Sequence, residues 1–171
     1  MELHSILTTT ILSNVPMPNW SISPSESVII CTRNRPEALQ ETLRSVAAQT
    51  GAEERLVLVV DGSDSPHAES SAKVVQAWSK TLPIHYHRYA GKPAGTRQRN
   101  AGIDLLPASV TIVHFIDDDV TLESEYFTTL STSIHQNPSL LGVGGIINHP
   151  TSDSWSYPER TFLQLFLLST D

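Results

Sequence analysis

The run Val110-Thr111-Ile112-Val113-His114-Phe115-Ile116, halted abruptly by Asp117, Asp118 and Asp119, restricts the fold of this chain more than any other stretch. β-Branched and aromatic residues at this density predict a buried strand, which puts the acids at its carboxyl end. Side chains alternate along an extended strand, so Asp117 and Asp119 are expected to lean to one side while Asp118 points away. Three adjacent negative charges at the rim of a core repel one another unless a cation or hydrogen-bond donors compensate them. A hard divalent ion, Mg²⁺ or Mn²⁺, held by one or two carboxylates and completed by water and phosphate oxygens, is the simplest compensation. A solvated acidic turn opening the next helix is the alternative, because acids suit helix N-termini.

The preceding chain repeats the same grammar. Ser27-Val28-Ile29-Ile30-Cys31-Thr32 is a strand-length apolar run, broken by Arg33-Asn34-Arg35-Pro36. Proline suits the first helical turn, and Leu39, Leu43, Val46 and Ala47 recur at helical spacing up to Gln49, with Gly51 as the stop. Leu56-Val57-Leu58-Val59-Val60 is apolar on both faces, as a central parallel strand covered by helices should be. It too ends in an acid, Asp61, followed by the turn-rich Gly62-Ser63-Asp64-Ser65-Pro66. A helix from about residue 66 to 80 directs Ala68, Ala72, Val75 and Trp78 inward, and Pro83 bars its continuation. Residues 84–89 alternate enough for a strand nearer the edge, with His85 and His87 read as exposed strand histidines rather than a metal pair. The segment Gly91 to Ile103 concentrates Lys92, Arg97 and Arg99, which can offer charge-assisted donors to phosphate near a helix start. After the three aspartates, residues 122–136 read as a helix carrying Leu122, Tyr126, Leu130 and Ile134. Residues 140–147 read as a further glycine-rich strand, and Phe162–Leu168 is apolar again.

Composition sets the outer limits. The length of 171 residues suits one domain, and 39% apolar with 17% charged residues is ordinary for a globular protein. A net charge of −7 argues against nonspecific nucleic-acid binding. The lone Cys31 cannot form an intramolecular disulfide and reads as a small buried hydrophobe. Residues 1–26 read as a loose leader rather than a signal peptide, and Asn19-Trp20-Ser21 as a chance match to the glycosylation triplet. No run nears the ~18 apolar residues of a membrane span.

Successive βα units with acids at two strand ends and arginines between them predict an α/β nucleotide-binding sheet. A dinucleotide-dependent oxidoreductase is disfavoured because Arg33-Asn34-Arg35-Pro36 has no glycine-rich turn. In order, Val28 to Arg35, Ser45 with Gln49, Val59-Val60-Asp61-Gly62-Ser63, Arg99-Asn100-Ala101-Gly102-Ile103 and Phe115-Ile116-Asp117-Asp118-Asp119 resemble the family 2 glycosyltransferases of the GT-A fold over roughly residues 27–147. The resemblance implies a Rossmann-like, mostly parallel sheet with helices on both faces, incomplete at the C-terminus. It divides the chain into a leader (1–26), a nucleotide-sugar-binding domain (27–150) and the start of an acceptor-side region (151–171). It also implies inverting, metal-dependent transfer of a sugar from a nucleoside diphosphate donor, UDP-type first, to a carbohydrate, lipid or other hydroxyl acceptor. Thr32 and Arg35 would then border the nucleotide, Asp61 would meet the nucleobase, and Arg99 with Arg97 would lie near the diphosphate. Asp117 and Asp119 would serve Mg²⁺ or Mn²⁺, with Asp119 as direct ligand, Asp117 also near the ribose, and Asp118 counted among the donor contacts. The family's general base is expected beyond residue 171, and neither Asp153 nor Glu159 is assigned that role. A catalytically incomplete nucleotide- and metal-binding module is the alternative. A cytoplasmic setting is implied, at the membrane face if a later region reaches the bilayer.

Overall fold

The structure, a computed structural model, describes residues 24–146. The leader up to residue 23, the triplet at Asn19, Ile147, and the region 151–171 with Asp153, Glu159 and Phe162–Leu168 lie outside the described residues. Four strands form one parallel sheet: β1 (Glu26–Thr32), β2 (Leu56–Asp61), β3 (Ile84–Arg88) and β4 (Ile112–Asp117). Their order is β3-β2-β1-β4, so the chain steps outward from β1 to β3 and then returns to the far side of β1. That reversal creates a switch point between β1 and β4, where open α/β sheets leave a crevice outside the strand ends.

The two faces of the sheet are filled by alternate residues of the same strands. Val28, Ile30, Val57 and Val59 pack against Leu39, Leu43 and Val46 of α1 (Pro36–Ala47), Val75 of α2 (His67–Trp78) and Phe127 of α4 (Tyr126–Gln136). Ile29, Leu58 and Val60 face the other way, toward α3 (Gly95–Asp104) and Leu105 beyond it. Every residue of β2 is buried, which accounts for its two-sided apolar sequence. At roughly 1.5–3 kcal/mol for each fully buried Val, Leu or Ile, this double layer is the main favourable term of the fold. Gly102 sets the α3-to-sheet distance: a Cβ there would lie 3.0 Å from Ile29 Cγ2 and 3.3 Å from Val60 Cγ2.

Three expectations need correction. The last helix begins at Tyr126 and not at residue 122, because residues 120–125 are held in a non-helical path by α1. Thr42 Oγ1 donates to the Val120 carbonyl at 2.9 Å, and Gln49 Nε2 donates to the Glu123 carbonyl at 2.7 Å. Residues 140–146 form no strand. Their glycines favour neither a ladder nor side-chain packing, and Gly145 instead lies against the Tyr126 ring, where a Cβ would sit 2.5 Å from Cε2. Finally, His85 and His87 are half-buried on the edge strand β3, and burial lowers the pKa of both.

Candidate functional site

Both acid-terminated strands end on one rim. In register, Thr32 pairs with Asp61 on one side of β1, and Cys31 pairs with Asp117 on the other. Asp61 and Asp117 are therefore two strand spacings apart, about 9–10 Å, with the end of β1 between them.

Asp117 is the last residue of β4 and turns to the α3 face, where Arg99 Nη2 donates to its Oδ1 at 2.8 Å. The strand stops there, so the expected alternation does not carry through to Asp119. Asp118 turns into the protein instead of away: it is 1% exposed, and Thr32 Oγ1 donates to its Oδ2 at 2.6 Å. Arg35 Nη2 lies 2.6 Å from Asp118 Oδ1, an ion pair at close range although off the alignment of a hydrogen bond. Burial pushes the Asp118 carboxyl above the ordinary value, while the Thr32 hydroxyl and Arg35 draw it back. The same guanidinium donates through Nη1 to Asp119 Oδ2 at 2.6 Å, and half of the Asp119 side chain is in water. Asp117 and Asp119 thus answer to different arginines on opposite faces of the sheet, and Arg35 bridges the buried and exposed acids.

Asp61 sits beneath the next turn, fully buried. Its Oδ1 accepts the Ser63 amide at 2.6 Å and its Oδ2 the Tyr86 hydroxyl at 2.7 Å, with Arg88 Nη1 at 4.0 Å. Burial and this carboxylate push the Tyr86 phenol well above its usual range. The turn is closed from above: the Asn34 amide donates to Ser63 Oγ at 2.7 Å, and Asn34 Oδ1 accepts the Asp64 amide at 2.8 Å. Asn34 does this from the left-handed region, φ 57°, which asparagine tolerates better than most residues.

The basic segment reaches the same rim because α3 follows β3 and so starts at the carboxyl edge. Gln98, in its first turn, is buried and donates through Nε2 to the carbonyls of Thr32 at 3.0 Å and Val60 at 2.9 Å. Gly62 permits this approach, since a Cβ there would lie 3.1 Å from Pro93 and 3.2 Å from Gln98. Arg97 and Lys92 are exposed and make no ion pair among the described residues, at a helix N-terminus whose dipole attracts anions. Cys31 Sγ faces the Gly95 carbonyl at 4.0 Å, and burial raises its pKa to about 11, which suits an inert thiol.

Thr32, Arg35, Asp61, Arg99 and the three aspartates therefore gather on one edge, with Arg97 beside them. Nothing in the chain marks Gln98 or Thr42 as a site residue, and Gln49 enters only through the family resemblance. Each works through a side chain bonded to a backbone group far away in sequence, a signal that composition and spacing do not carry. Among the described residues no group of three or more His, Cys, Asp or Glu side chains is arranged to enclose an ion. Asp117 and Asp119 each present carboxylate oxygen to solvent beside a guanidinium, which suits a hard cation that takes a single carboxylate and completes its shell with water and phosphate; held by different arginines, the two do not form a shared cage.

The chain is 31% identical over 130 residues to a glucosyl-dolichyl phosphate glucuronosyltransferase of Haloferax volcanii, a match covering 71% of this chain and 37% of that protein. It is 26% identical over 163 residues to an N-acetylglucosaminyltransferase of Sinorhizobium fredii, covering 90% of this chain and 37% of the relative. The match thus takes in little more than a third of the length of either relative. Among solved structures, S. aureus TarS in complex with UDP-GlcNAc superposes with a TM-score of 0.58 at 22% identity, over 72% of this chain and 37% of that one. That likeness shows the GT-A fold. The profile described as Glycosyl transferase family 2 matches residues 27–169, nearly the whole sequence, and the chain belongs to that family.

Proposed function

We propose that residues 27–146 form the donor-binding half of an inverting glycosyltransferase that takes a nucleoside diphosphate sugar, UDP-type, and passes the sugar to an acceptor hydroxyl. The observation that carries this reading is the gathering of Thr32, Arg35, Arg99 and Asp117–Asp119 at the crevice between β1 and β4, with Asp61 on the same carboxyl edge at the end of β2. The nucleoside is assigned to the β1–β2 side. There Asp61, beneath the Ser63–Asp64 turn, has lone pairs left beyond its two present donors. The diphosphate is assigned to the α3 N-terminus, where Arg97 and Lys92 lack carboxylate partners and Arg99 stands beside Asp117.

Asp119 and Asp117 would hold Mg²⁺ or Mn²⁺, with Asp119 the direct ligand. A bound divalent ion neutralises charge on the leaving diphosphate. Arg35 holds Asp119 in place and, through Asp118 and Thr32, ties it to the end of β1. Thr32 and Asp118 thus act mainly by positioning, from beneath. No described residue is assigned as the general base, which belongs to the acceptor side.

Isothermal titration with UDP and UDP-GlcNAc, with and without Mn²⁺, joined to a donor-hydrolysis assay, tests the reading. Metal-dependent UDP binding is the expected result. Binding without turnover would assign this chain a donor-holding role only, and absence of nucleotide binding with Mn²⁺ present would overturn the proposal.

A further inference from the structure

Tyr86 sits in the middle of the edge strand β3 and has two parts with different duties. Its ring packs against the core layer under α1 and α2, a service that phenylalanine would perform equally. Its hydroxyl donates to Oδ2 of the buried Asp61 at 2.7 Å. Tyr86 pairs in register with Val59, two residues before Asp61 and on the same face of β2, so the ring leans along the strand to reach that carboxylate. The Ala68 carbonyl, at 3.2 Å, is a second acceptor for the same proton. A phenol has one proton to give, and the shorter contact is the one to Asp61.

Both carboxylate oxygens are thereby set. The Ser63 amide holds Oδ1 at 2.6 Å, the Tyr86 hydroxyl holds Oδ2, and Arg88, the register partner of Asp61, brings Nη1 to 4.0 Å from Oδ1. A carboxylate gripped at both oxygens cannot turn without giving up a hydrogen bond, so its remaining lone pairs point in fixed directions. They only accept. A base that offers a ring N–H there, as uracil does at N3, gains a hydrogen bond, whereas cytosine sets a lone pair against a lone pair at the same atom. Tyr86 belongs to the strand farthest from Asp117, so its hydroxyl bears on the nucleoside end of the rim and not on the diphosphate end.

We propose that Tyr86 is a positioning residue of the nucleoside site: by holding Oδ2 it fixes the direction in which Asp61 accepts, and so enforces a preference for uridine over cytidine nucleotides. The proposal rests on the donor site described under the proposed function and adds to it a residue that acts on the base alone.

Isothermal titration of the full 171-residue chain with UDP, CDP and inorganic pyrophosphate, Mn²⁺ present throughout, tests it. The unsubstituted chain should prefer UDP to CDP by roughly tenfold or more, and Tyr86→Phe should cut that preference about threefold or more with pyrophosphate affinity unchanged. In an Asp61→Ala background, Tyr86→Phe should bring no further loss of UDP affinity, because the hydroxyl acts only through the carboxylate. Losses that add in the double variant would overturn the proposal. So would an equal fall in pyrophosphate affinity, or a Tyr86→Phe chain with a lowered denaturation midpoint and the original UDP to CDP ratio. Should Tyr86→Phe not fold, Tyr86→Met, which also lacks the hydroxyl and adapts to the same space, is read in the same way. An unsubstituted chain that fails to bind UDP overturns the donor site and this proposal together. One that binds UDP and CDP equally overturns the proposal alone.

Discussion

Asp118 and Asp119 are adjacent in the chain and opposite in environment: one is shut beneath Thr32 and Arg35, the other shares Arg35 from the solvent side. Their substitutions should therefore separate. Asp118→Ala removes the acceptor of a buried hydroxyl and one partner of a guanidinium, and should cost about 1–3 kcal/mol of stability in urea denaturation. Asp119→Ala, at an exposed position, should change stability by no more than about 0.5 kcal/mol while abolishing the Mn²⁺ dependence of UDP affinity measured by calorimetry. Equal destabilisation by the two would contradict the burial contrast. Asp61 combines the two roles. Asp61→Ala leaves the Tyr86 hydroxyl without its carboxylate and the Ser63 amide without an acceptor, for a loss of about 1–3 kcal/mol. It should also weaken UDP binding while leaving the affinity for inorganic pyrophosphate intact. An equal loss for pyrophosphate would remove Asp61 from the nucleoside and leave it a structural acid.

At the scale of elements, the placement of α3 decides whether Arg97 and Arg99 reach the rim at all. Two contacts set it: the Gln98 amide spanning the ends of β1 and β2, and Gly102, which lets the helix lie directly on Ile29 and Val60. Gly102→Val would force branched methyls into side chains already at 3.0–3.3 Å from a bare Cβ. Overpacking of this kind costs about 1–3 kcal/mol, readable as a lowered denaturation midpoint, and it should displace α3 enough to weaken UDP binding as well. Gly102→Val with unchanged stability would show that the helix has room to move. α1 performs the matching service on the other face. Through Thr42, and through Gln49 in the turn that follows it, it fixes residues 120–127, including the Phe127 amide at 3.4 Å from Gln49 Oε1, and so fixes the exit from the aspartate cluster.

Across the whole molecule, the amino end of the sheet carries a second charged cluster that staples three strands. Glu26 of β1 accepts from Arg55, just before β2, at 2.8 Å and contacts His114 of β4 at 3.3 Å, while Arg55 and His114 both pack on Phe127. Burial holds His114 below its ordinary value of 6.5, outweighing the pull of Glu26. For Glu26 burial acts upward, but the hydrogen bonds from Arg55 and His114 prevail and lower it from 4.5. On acidification the unfolded chain takes up both protons first. Stability should therefore fall as pH drops from about 6.5 through the folded value of His114, and fall again below about 4.5 through that of Glu26. Asp118 acts in the opposite sense, its raised value costing stability as pH climbs from 3.8. Denaturation midpoints should decline between about pH 7 and 5, and His114→Gln should flatten that slope; an unchanged slope would exclude His114 as its source. The chain read on its own already determined a parallel α/β architecture, because period-2 and period-3.6 apolar patterns, proline and glycine punctuation and acids at strand ends are local properties of consecutive residues. It also determined which charged residues share the carboxyl edge, since every strand of a parallel sheet ends on the same side. Only the tertiary structure decided the β3-β2-β1-β4 order, the inward turn of Asp118, the division of Asp117 and Asp119 between two arginines, the Gln98 clamp and the failure of residues 140–146 to pair. Those outcomes depend on which distant backbone group lies within about 3 Å of a given side chain, and that proximity exists only once the layers have packed.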